Sequence, residues 1–386
     1  MSNYLTIKDI AREAIVMTDY LIVFGKTIFR GYEKDFESGK KIGSSITLRN
    51  YHNVKVTRIA VGQKQTVTPE QVEETPTELK LEYRFVAPIE VFDEDLTLSI
   101  EDFSTQVLMR GMEPMVQDLE EYALSKIKKV RHYAKKLGDN APSTLQHLAD
   151  ISAQKTRQKF AQTQKTWFLM DPETKASIQG GAPETVTANT RGDGGEAFET
   201  AQFGKILDLW GVESNLIPQK VVSTCKTGAT KNAIVPSNSA QTINIENLID
   251  GQTISEGDIL EFTNPVALTV TTVVAAEDKT IVGTSDTLLV DSVDEEIEAG
   301  ATFAVKNYGF NCVYQEKAFA LCIVPLATPA SKKNDGNAYY VTHPESGYGF
   351  RVLMDFNYPS DIVYIECLGG AEHIQHELAF RVNSAY

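Results

Sequence analysis

Residues 79–91 read LKLEYRFVAPIEV, and this stretch alternates between two kinds of side chain. Every second residue is apolar: Leu79, Leu81, Tyr83, Phe85, Ala87, Ile89 and Val91. The residues between them include Lys80, Glu82 and Arg84, so the other face begins with charged groups. Because successive side chains of a strand point to opposite faces of a sheet, the pattern predicts a half-buried β-strand.

A weaker alternating run precedes this strand and predicts the other half of a hairpin. Its apolar residues are Ile46, Leu48, Val54, Val56 and, after a slip of one residue that is typical of a bulge, Ile59 and Val61. The segment between the runs, residues 62–76, is polar and contains two prolines. We therefore predict a long hairpin with a polar tip. Since a two-stranded ribbon is marginal alone in water, its apolar face needs a cover, and a neighbouring chain is one candidate.

Helical periodicity flanks the hairpin on both sides. Residues 6–23 carry apolar side chains at helical spacing and predict an amphipathic helix. A longer helical pattern follows the hairpin, and Glu101 and Asp102 favour its start. Its part from Pro114 to Leu137 would be roughly 36 Å long, at about 1.5 Å per residue. Gly111 and Pro114 are expected to kink or divide it.

The predicted long helix ends in a cluster of basic residues: Lys126, Lys128, Lys129, Arg131, Lys135 and Lys136. Basic side chains complement the dipole at a helix C-terminus, which is one explanation of the cluster. A surface that faces DNA is the other, and the sequence leaves both open.

Further elements follow in the second third of the chain. A helix is predicted from Ser143 to about Gln164, and a strand from Trp167 to Met170. Asp171-Pro172 is typical of a helix start, because Asp caps the first turn and proline suits the first helical position. Residues 179–196 are expected to form a Gly-rich loop.

A strongly acidic segment occupies residues 234–305. It holds 13 acidic residues and one basic residue, Lys279, so it carries −12 of the net charge of −15. Short strand-like runs separated by turn residues predict a small all-β unit inserted into another domain. Residues 306–386 return to mixed charge and aromatic-rich strands.

The composition is that of an acidic globular protein. Hydrophobic residues make up 42% and charged residues 23%, and the net charge of −15 argues against non-specific nucleic-acid binding by the whole molecule. No run of about 20 apolar residues predicts a membrane span, and charged residues near the N-terminus exclude a signal peptide. The four cysteines (Cys225, Cys312, Cys322 and Cys367) are scattered, which favours packed, reduced thiols in a reducing cytoplasm.

Candidate chemical motifs are incomplete. Gly25-Lys26-Thr27 matches the end of a phosphate-binding loop, but Tyr20 stands where its first glycine belongs. His373 and His376 lie three residues apart, whereas metalloprotease helices space their histidines by four. Solvated or packed histidines are therefore expected.

Two acidic or charged motifs also have ordinary explanations. Residues 93–95 are three consecutive acids, which suit the approach to a helix N-terminus as well as a cation. Residues 191–193 form an Arg-Gly-Asp triplet, a match short enough to arise by chance. We expect no catalytic residue, no cofactor and no metal site, and hence a protein that is not an enzyme.

Two local sequences and the order of elements carry a resemblance to a known family. Residues 210–218 read WGVESNLIP and are similar to a family stretch at Gly211, Ser214, Asn215 and Pro218, with one residue fewer after the glycine. Residues 310–329 (FNCVYQEKAFALCIVPLATP) are similar to an aromatic-rich strand segment. Over essentially its whole length, the chain resembles tailed-phage major capsid proteins of the Hong Kong 97-type fold, in particular podophage coat proteins with an inserted β-barrel.

The resemblance implies an α+β fold with a defined order of parts. These parts are an N-arm (1–40), an E-loop hairpin (41–92), a P-domain spine helix (93–140), a first A-domain and P-domain portion (141–233), the inserted acidic β domain (234–305) and a returning A-domain and P-domain portion (306–386). The insertion is shorter than in the best-known members of the family.

The resemblance also implies a role and partners. The expected protein is a virion component, assembled in the host bacterial cytoplasm, whose hexamers and pentamers form an icosahedral shell around double-stranded DNA. A scaffolding protein and a portal are the expected partners, DNA contacts the inner face weakly, and no membrane is involved. The alternatives are another phage structural protein, such as a tail or decoration subunit, and a soluble enzyme with an unrecognised site.

Charged residues at the hairpin tip and in the insertion are the hypothetical contacts between subunits: Lys64, Glu70, Glu73, Glu74, Asp291, Asp294, Glu295 and Glu296. Lys64 could form an isopeptide bond with a neighbouring asparagine, or it is an exposed, solubilising lysine. The apolar sides of the hairpin and of the first helix are expected to have no partner within the chain.

Overall fold

The computed structural model places helices against two five-stranded sheets, beside a closed barrel and a separate two-stranded ribbon. The residues that it describes are 7–31, 45–51, 74–92, 103–138, 140–158, 160–182, 204–236, 241–249, 251–262, 267–273, 285–290, 296–327, 338–342, 349–355 and 360–384. The mixed composition of helices and sheets confirms the predicted α+β class.

The largest core lies between the first five-stranded sheet and two helices. The strands are β3 (Tyr83–Phe92), β14 (Phe319–Val324), β15 (Ala338–Thr342), β16 (Gly349–Asp355) and β17 (Ser360–His373). The helices are α1 (Ile7–Leu21) and α2 (Met109–Ser125). Strands β3, β14 and β16 all pair antiparallel with the long β17, and β15 continues the sheet beyond β16.

Strand β3 has the two faces that its alternation predicts. Phe85, Ala87, Ile89 and Val91 are buried toward α2, and the residues between them are exposed. The prediction is wrong at Tyr83, which is 55% exposed at the start of the strand. The alternating run is also two strands, because β2 (Glu74–Lys80) ends before β3 begins.

Helix α2 crosses β3 at very close range. A Cβ atom on Gly111 would lie 2.4 Å from Cγ1 of Ile89, so only glycine allows this approach. Gly111 and Pro114 lie within the same helix, which follows a π-helical turn at Ser104–Leu108. Of the two predicted outcomes, a kink or a division, the division does not occur.

The predicted C-terminal end of this helix is wrong. The α-helix ends at Ser125, a 3₁₀ turn follows at Lys126–Lys129, and Val130 is extended. Beyond it, the amide of Ala134 donates to the carbonyl of Arg381 at 2.9 Å. The chain therefore leaves the helix because residues 132–134 pair with a strand near the C-terminus, a contact that local periodicity does not reveal.

The second five-stranded sheet supports two shorter helices. It is ordered β18 (Ala379–Val382), β13 (Asn311–Gln315), β4 (Thr166–Met170), β6 (Leu209–Glu213) and β5 (Lys205–Ile206). Helices α3 (Leu145–Arg157) and α4 (Pro172–Gly181) enclose a second core with this sheet. The side chain of Asp171 accepts from the amide of Thr174 at 2.5 Å, with Pro172 in the first turn, which confirms the predicted helix start.

The acidic segment forms most of a closed barrel. Its strands are β7 (Thr227–Thr230), β8 (Gln241–Glu246), β9 (Ile259–Phe262), β10 (Ala267–Val273), β11 (Ser285–Val290) and β12 (Thr302–Lys306). The barrel starts seven residues before the predicted boundary at 234, because β7 pairs with β8 and β12 to close it. Ile243, Ile245, Leu260, Leu288 and Phe303 help to fill a core that belongs to the barrel alone.

Candidate interaction surfaces

The ribbon formed by β1 (Ser45–Tyr51) and β2 is a sheet of only two strands, with both edges open to further pairing among the described residues. Strand β1 pairs antiparallel with β2, from Ser45 opposite Lys80 to Tyr51 opposite Glu74. Within the described part of the chain no further strand joins either edge of this pair. Unpaired edges present rows of free amide and carbonyl groups, which another chain can pair with.

The base of the ribbon is covered by the chain itself. Leu48, Leu79 and Leu81 are buried at 5%, 0% and 0% exposure. They pack against residues of β14 and β17 on the outer side of the first sheet: Ala320, Cys322, Val324 and Leu368. The expectation that this apolar face has no partner within the chain is therefore wrong for the described residues.

Helix α1 is covered in the same way. Its buried residues Ile10, Ala14 and Ile15 belong to the main core, and the helix contacts α2, β15 and β16. The helix was expected from its periodicity, and that prediction is confirmed. The expectation that α1 has no partner within the chain is wrong. Two of its covering strands, β15 and β16, lie more than 300 residues further along the sequence, so the local pattern does not reveal them.

A buried carboxylate holds the segment that follows α1. Glu120 of α2 is 1% exposed and accepts the amides of Phe24 and Gly25 at 2.9 and 2.8 Å. Burial raises the pKa of Glu120, although these hydrogen bonds and the nearby Arg30 oppose the shift. The Gly25-Lys26-Thr27 sequence thus overlaps a 3₁₀ turn at Phe24–Lys26. Its Gly25 amide donates to a carboxylate, and the amides of Lys26 and Thr27 donate to the carbonyls of Val23 and Phe24, which is unlike a phosphate-binding loop.

A cavity of about 380 Å³ lies beside this carboxylate. Its lining includes Leu21, Val23, Val116 and Leu216, together with polar residues of the 213–215 turn. That turn belongs to the WGVESNLIP sequence, so the motif is positioned against the first helix and α2. Its Ser214 amide donates to the carbonyl of Met170 at 3.2 Å.

A buried ion cluster lies on the outer side of the first sheet, next to the ribbon. Glu366 is 2% exposed and binds Arg351 and Arg84, with 3.1 Å between Nε of Arg351 and Oε2. A carboxylate removed from water in this way requires partners. Two guanidinium groups provide them here.

The basic cluster at the end of α2 is paired with carboxylates of the same chain. The pairs are Lys126 with Glu82 (3.1 Å), Lys128 with Glu256 (3.0 Å), Lys129 with Glu372 (2.5 Å), Lys135 with Glu261 (3.0 Å), and Lys136 with Asp150. The pKa of Glu82 is lowered. Partial burial alone would raise this pKa, but hydrogen bonds from Tyr122 and Lys126 and the charge of Lys126 outweigh burial. The cluster therefore joins α2 to the barrel, to β17 and to α3, which explains it without a DNA surface.

The contact between the barrel and the body was missed by sequence reasoning. Asp258 and Lys220 are almost fully buried and lie 2.6 Å apart, and Asp258 also accepts from the amide of Ser255 at 2.7 Å. Arg381, fully buried in β18, donates to the carbonyl of Gly257 at 2.7 Å. An arginine within the apolar run of residues 378–382 was the available signal, because a buried charge needs a partner.

Two of the eight predicted contact residues, Glu74 and Glu296, lie within the described part of the chain. Lys64, Glu70, Glu73, Asp291, Asp294 and Glu295 lie outside the described residues, as do the acidic triplet at 93–95 and the Arg-Gly-Asp triplet at 191–193. Glu74 is the last residue of the ribbon paired with β1, and Glu296 is exposed beside the barrel. Their roles between subunits stay predictions.

The remaining candidates for chemistry are packed side chains. His373 is 2% exposed, and its ring centroid lies 4.6 Å from that of His376. All four cysteines are buried and none is in a disulfide, as expected. Within the described ranges there is no group of three His, Cys, Asp or Glu side chains that could hold a metal ion, and no helix there is long and apolar enough to span a bilayer.

Comparisons with known proteins give structural similarities only. No protein-family model and no curated protein sequence matches the chain. A solved structure from Mycobacterium phage Che8 is 12% identical, with a TM-score of 0.47, and the match covers 93% of this chain and 90% of that one.

Two other similar structures are described as capsids. The capsid of Ralstonia phage GP4 is 6% identical, with a TM-score of 0.44 and coverage of 95% and 92%. The mature capsid of bacteriophage PhiM1 is 12% identical, with a TM-score of 0.40 and coverage of 88% and 82%.

Proposed function

We propose that this chain is the major capsid protein of a tailed phage, a structural subunit that assembles into the icosahedral shell around double-stranded DNA. Its fold would be of the Hong Kong 97 type, with α1 in the N-arm, the ribbon in the E-loop, α2 as the spine helix and the barrel as an inserted domain. Hexamers and pentamers would be built by this chain, with a scaffolding protein, a portal and the packaged DNA as partners.

The open ribbon is the observation that carries the proposal. Its base is fixed to the body by three buried leucines, while its strands continue as a two-stranded sheet from Arg49 opposite Pro76 to Tyr51 opposite Glu74. A protein that acts alone gains little from an extended pair of strands with open edges, since such edges favour pairing with other chains. A shell subunit, in contrast, needs an arm of fixed direction to reach its neighbour.

The ion pairs of the basic cluster support the weak DNA contact in this proposal. Five lysines of that cluster are each within 3.1 Å of a carboxylate of the same chain. Non-specific DNA binding requires basic groups that can neutralise phosphates. Lysines that are already paired with carboxylates are less available to DNA phosphates, so a shell built from this chain would bind the enclosed DNA only weakly.

Electron microscopy and sedimentation of the purified full-length protein test the proposal. Shells or capsomers are the expected result, with contacts of about 1,000 Å² or more between subunits. A tail or decoration subunit would give tubes or small rings instead. A protein that stays monomeric at all concentrations would overturn the proposal.

Two matched variants test the role of the ribbon. Leu79→Ala and Leu288→Ala each remove a leucine of 0% exposure, the first from the ribbon base and the second from the barrel core. Both should lower the free energy of unfolding by about 2–5 kcal/mol. At conditions where both are folded, only Leu79→Ala should reduce the yield of shells, because only the ribbon would lose its direction. Equal shell yields from the two variants would contradict the proposed role.

A further inference from the structure

His373 ends the long strand β17 in an unusual environment. Its side chain is 2% exposed, and its ring centroid lies 4.8 Å from that of Phe319 and 4.6 Å from that of His376. Neither ring nitrogen has a hydrogen-bond partner among the described residues. Most buried side-chain polar atoms in proteins do have a partner, so this exception calls for an explanation.

The charges around the ring oppose its protonation. The basic or titratable groups that face it come from the segment after α2 and from the turn after β17: Lys129, Arg131, His132 and His376. The adjacent carboxylate, Glu372, is engaged by Lys129 at 2.5 Å. Glu316 and Lys317, on the turn before β14, are exposed to solvent. Burial first, and then these positive charges, hold the pKa of His373 well below its usual value.

The ring of His373 packs on the strand that receives the N-terminal segment. Phe319 is paired with His373 in the ladder between β14 and β17. The carbonyl of the same Phe319 accepts from the amide of Phe29 at 3.1 Å, and the amide of Leu321 donates to the carbonyl of Phe29 at 3.1 Å. Phe24 also packs edge-on against Phe319, with 5.6 Å between centroids. One aromatic ring therefore separates His373 from residues 22–31.

We propose that His373 is an acid-sensitive release element for residues 22–31, which connect α1 to the rest of the chain. When the ring binds a proton it must leave the interior, because neither ring nitrogen has an acceptor among the described residues and the surrounding charges are positive. The end of β14 then loses its packing against β17, and Phe29 loses the strand to which it is bonded. This inference concerns the single chain and does not depend on the formation of a shell.

The sign of the pH dependence follows from linkage. The pKa of His373 is lower in the folded protein than the value of about 6.5 in the open or unfolded chain. Below pH 6.5 the open state binds a proton that the closed state cannot bind, so the closed state loses stability as the pH falls. The equilibrium constant for opening should therefore rise by about tenfold for each pH unit below 6.5.

Hydrogen exchange of the full-length protein tests the proposal at the amides of Phe29 and Leu321. After correction for the intrinsic exchange rate, their protection in the wild type should fall by about tenfold per pH unit between pH 6.5 and 5. In His373→Phe, whose ring packs similarly and does not titrate, protection should stay constant over this range. His147→Gln, which removes a histidine of α3, should behave like the wild type.

Two results would overturn the proposal. One is a wild-type protection that does not change with pH, and the other is the same pH dependence in His373→Phe. If His373→Phe does not fold, a second measurement on the wild type tests the proposal. NMR titration of the wild type should show no protonation of His373 while Phe29 remains protected, and a normal titration near pH 6.5 in the closed state would contradict the mechanism.

Discussion

The barrel and the N-terminal layer, which comprises α1, residues 22–31 and the ribbon, both attach to the same body in different ways. The barrel has a core of its own and meets the body through buried ionic and polar groups, such as Asp258 and Arg381. Among the described residues, the N-terminal layer has no separate core, and its buried apolar residues belong to clusters that it shares with the body. The barrel is stabilised by its own core and needs only a contact with the body, here called the joint. The N-terminal layer, in contrast, depends on the first sheet to bury its apolar side chains.

This difference has a functional consequence. The barrel is complete as a sheet, because its strands close on one another. The ribbon remains open at both edges within the described residues, although its base is well packed. We therefore expect changes in the barrel to affect stability, and changes in the ribbon to affect association as well.

The largest effect is expected at the joint of the barrel. Asp258→Ala leaves the ammonium group of Lys220 buried at 5% exposure without its carboxylate. Breaking a buried pair from one side usually costs about 3–5 kcal/mol, because the remaining charge is not compensated. Urea unfolding of the two proteins should show a loss of that size in the free energy of unfolding.

A neighbouring acidic residue provides the control for this prediction. Glu256→Ala removes a carboxylate that is 41% exposed and pairs with Lys128 across the same joint. Its loss should change the stability by less than about 1 kcal/mol, since exposed pairs contribute little. Similar losses in the two variants would mean that buried charge does not hold the barrel in place.

The same contrast explains which parts of the fold were predictable. Barrel strands such as β8 were identified because Ile243 and Ile245 alternate with exposed residues, a pattern that is local. The cap at Asp171 was also local, since its partner is the amide of Thr174, three residues away. Local chemistry was sufficient for both.

Predictions failed where the partner is distant in the sequence. The end of α2 was placed too late, because residues 132–134 pair with Arg381, about 250 residues away. The apolar sides of α1 and of the ribbon were expected to be uncovered, because nothing in their periodicity identifies β14, β15 and β16 as the cover. The candidate contact residues were predicted from the expected hairpin tip and from the family resemblance, and their role stays a prediction.

An intermediate effect is expected where the N-terminal layer is fixed by a polar contact. Glu120→Ala leaves the amides of Phe24 and Gly25 without their acceptor. A buried donor without a partner costs about 1–3 kcal/mol, and the cavity beside Glu120 should keep the total within that range by admitting water. Glu121→Ala, at the adjacent exposed position, is the matched control and should be close to the wild type.

The pH dependence of this loss has a defined sign. The pKa of Glu120 is raised in the folded protein, chiefly by burial, so its contribution to stability is fully present below the unfolded value of about 4.5. It declines as the pH rises through the folded pKa. The difference in unfolding free energy between wild type and Glu120→Ala should therefore be larger at pH 4 than at pH 7. A difference that grows with pH would show that the amides of the layer, and not burial, determine the protonation of Glu120.

The smallest effect is expected at the exposed rim of the barrel joint. Lys135 and Glu261 are 3.0 Å apart, but the lysine side chain is 56% exposed, so water and salt weaken the pair. Lys135→Ala should lower the free energy of unfolding by at most about 0.5 kcal/mol, and the loss should disappear near 1 M salt. Denaturation at two salt concentrations measures both quantities. A large loss of stability that persists at high salt would contradict this prediction. It would mean that the exposed pair of Lys135 and Glu261, and not the buried pair of Lys220 and Asp258, holds the barrel on the body.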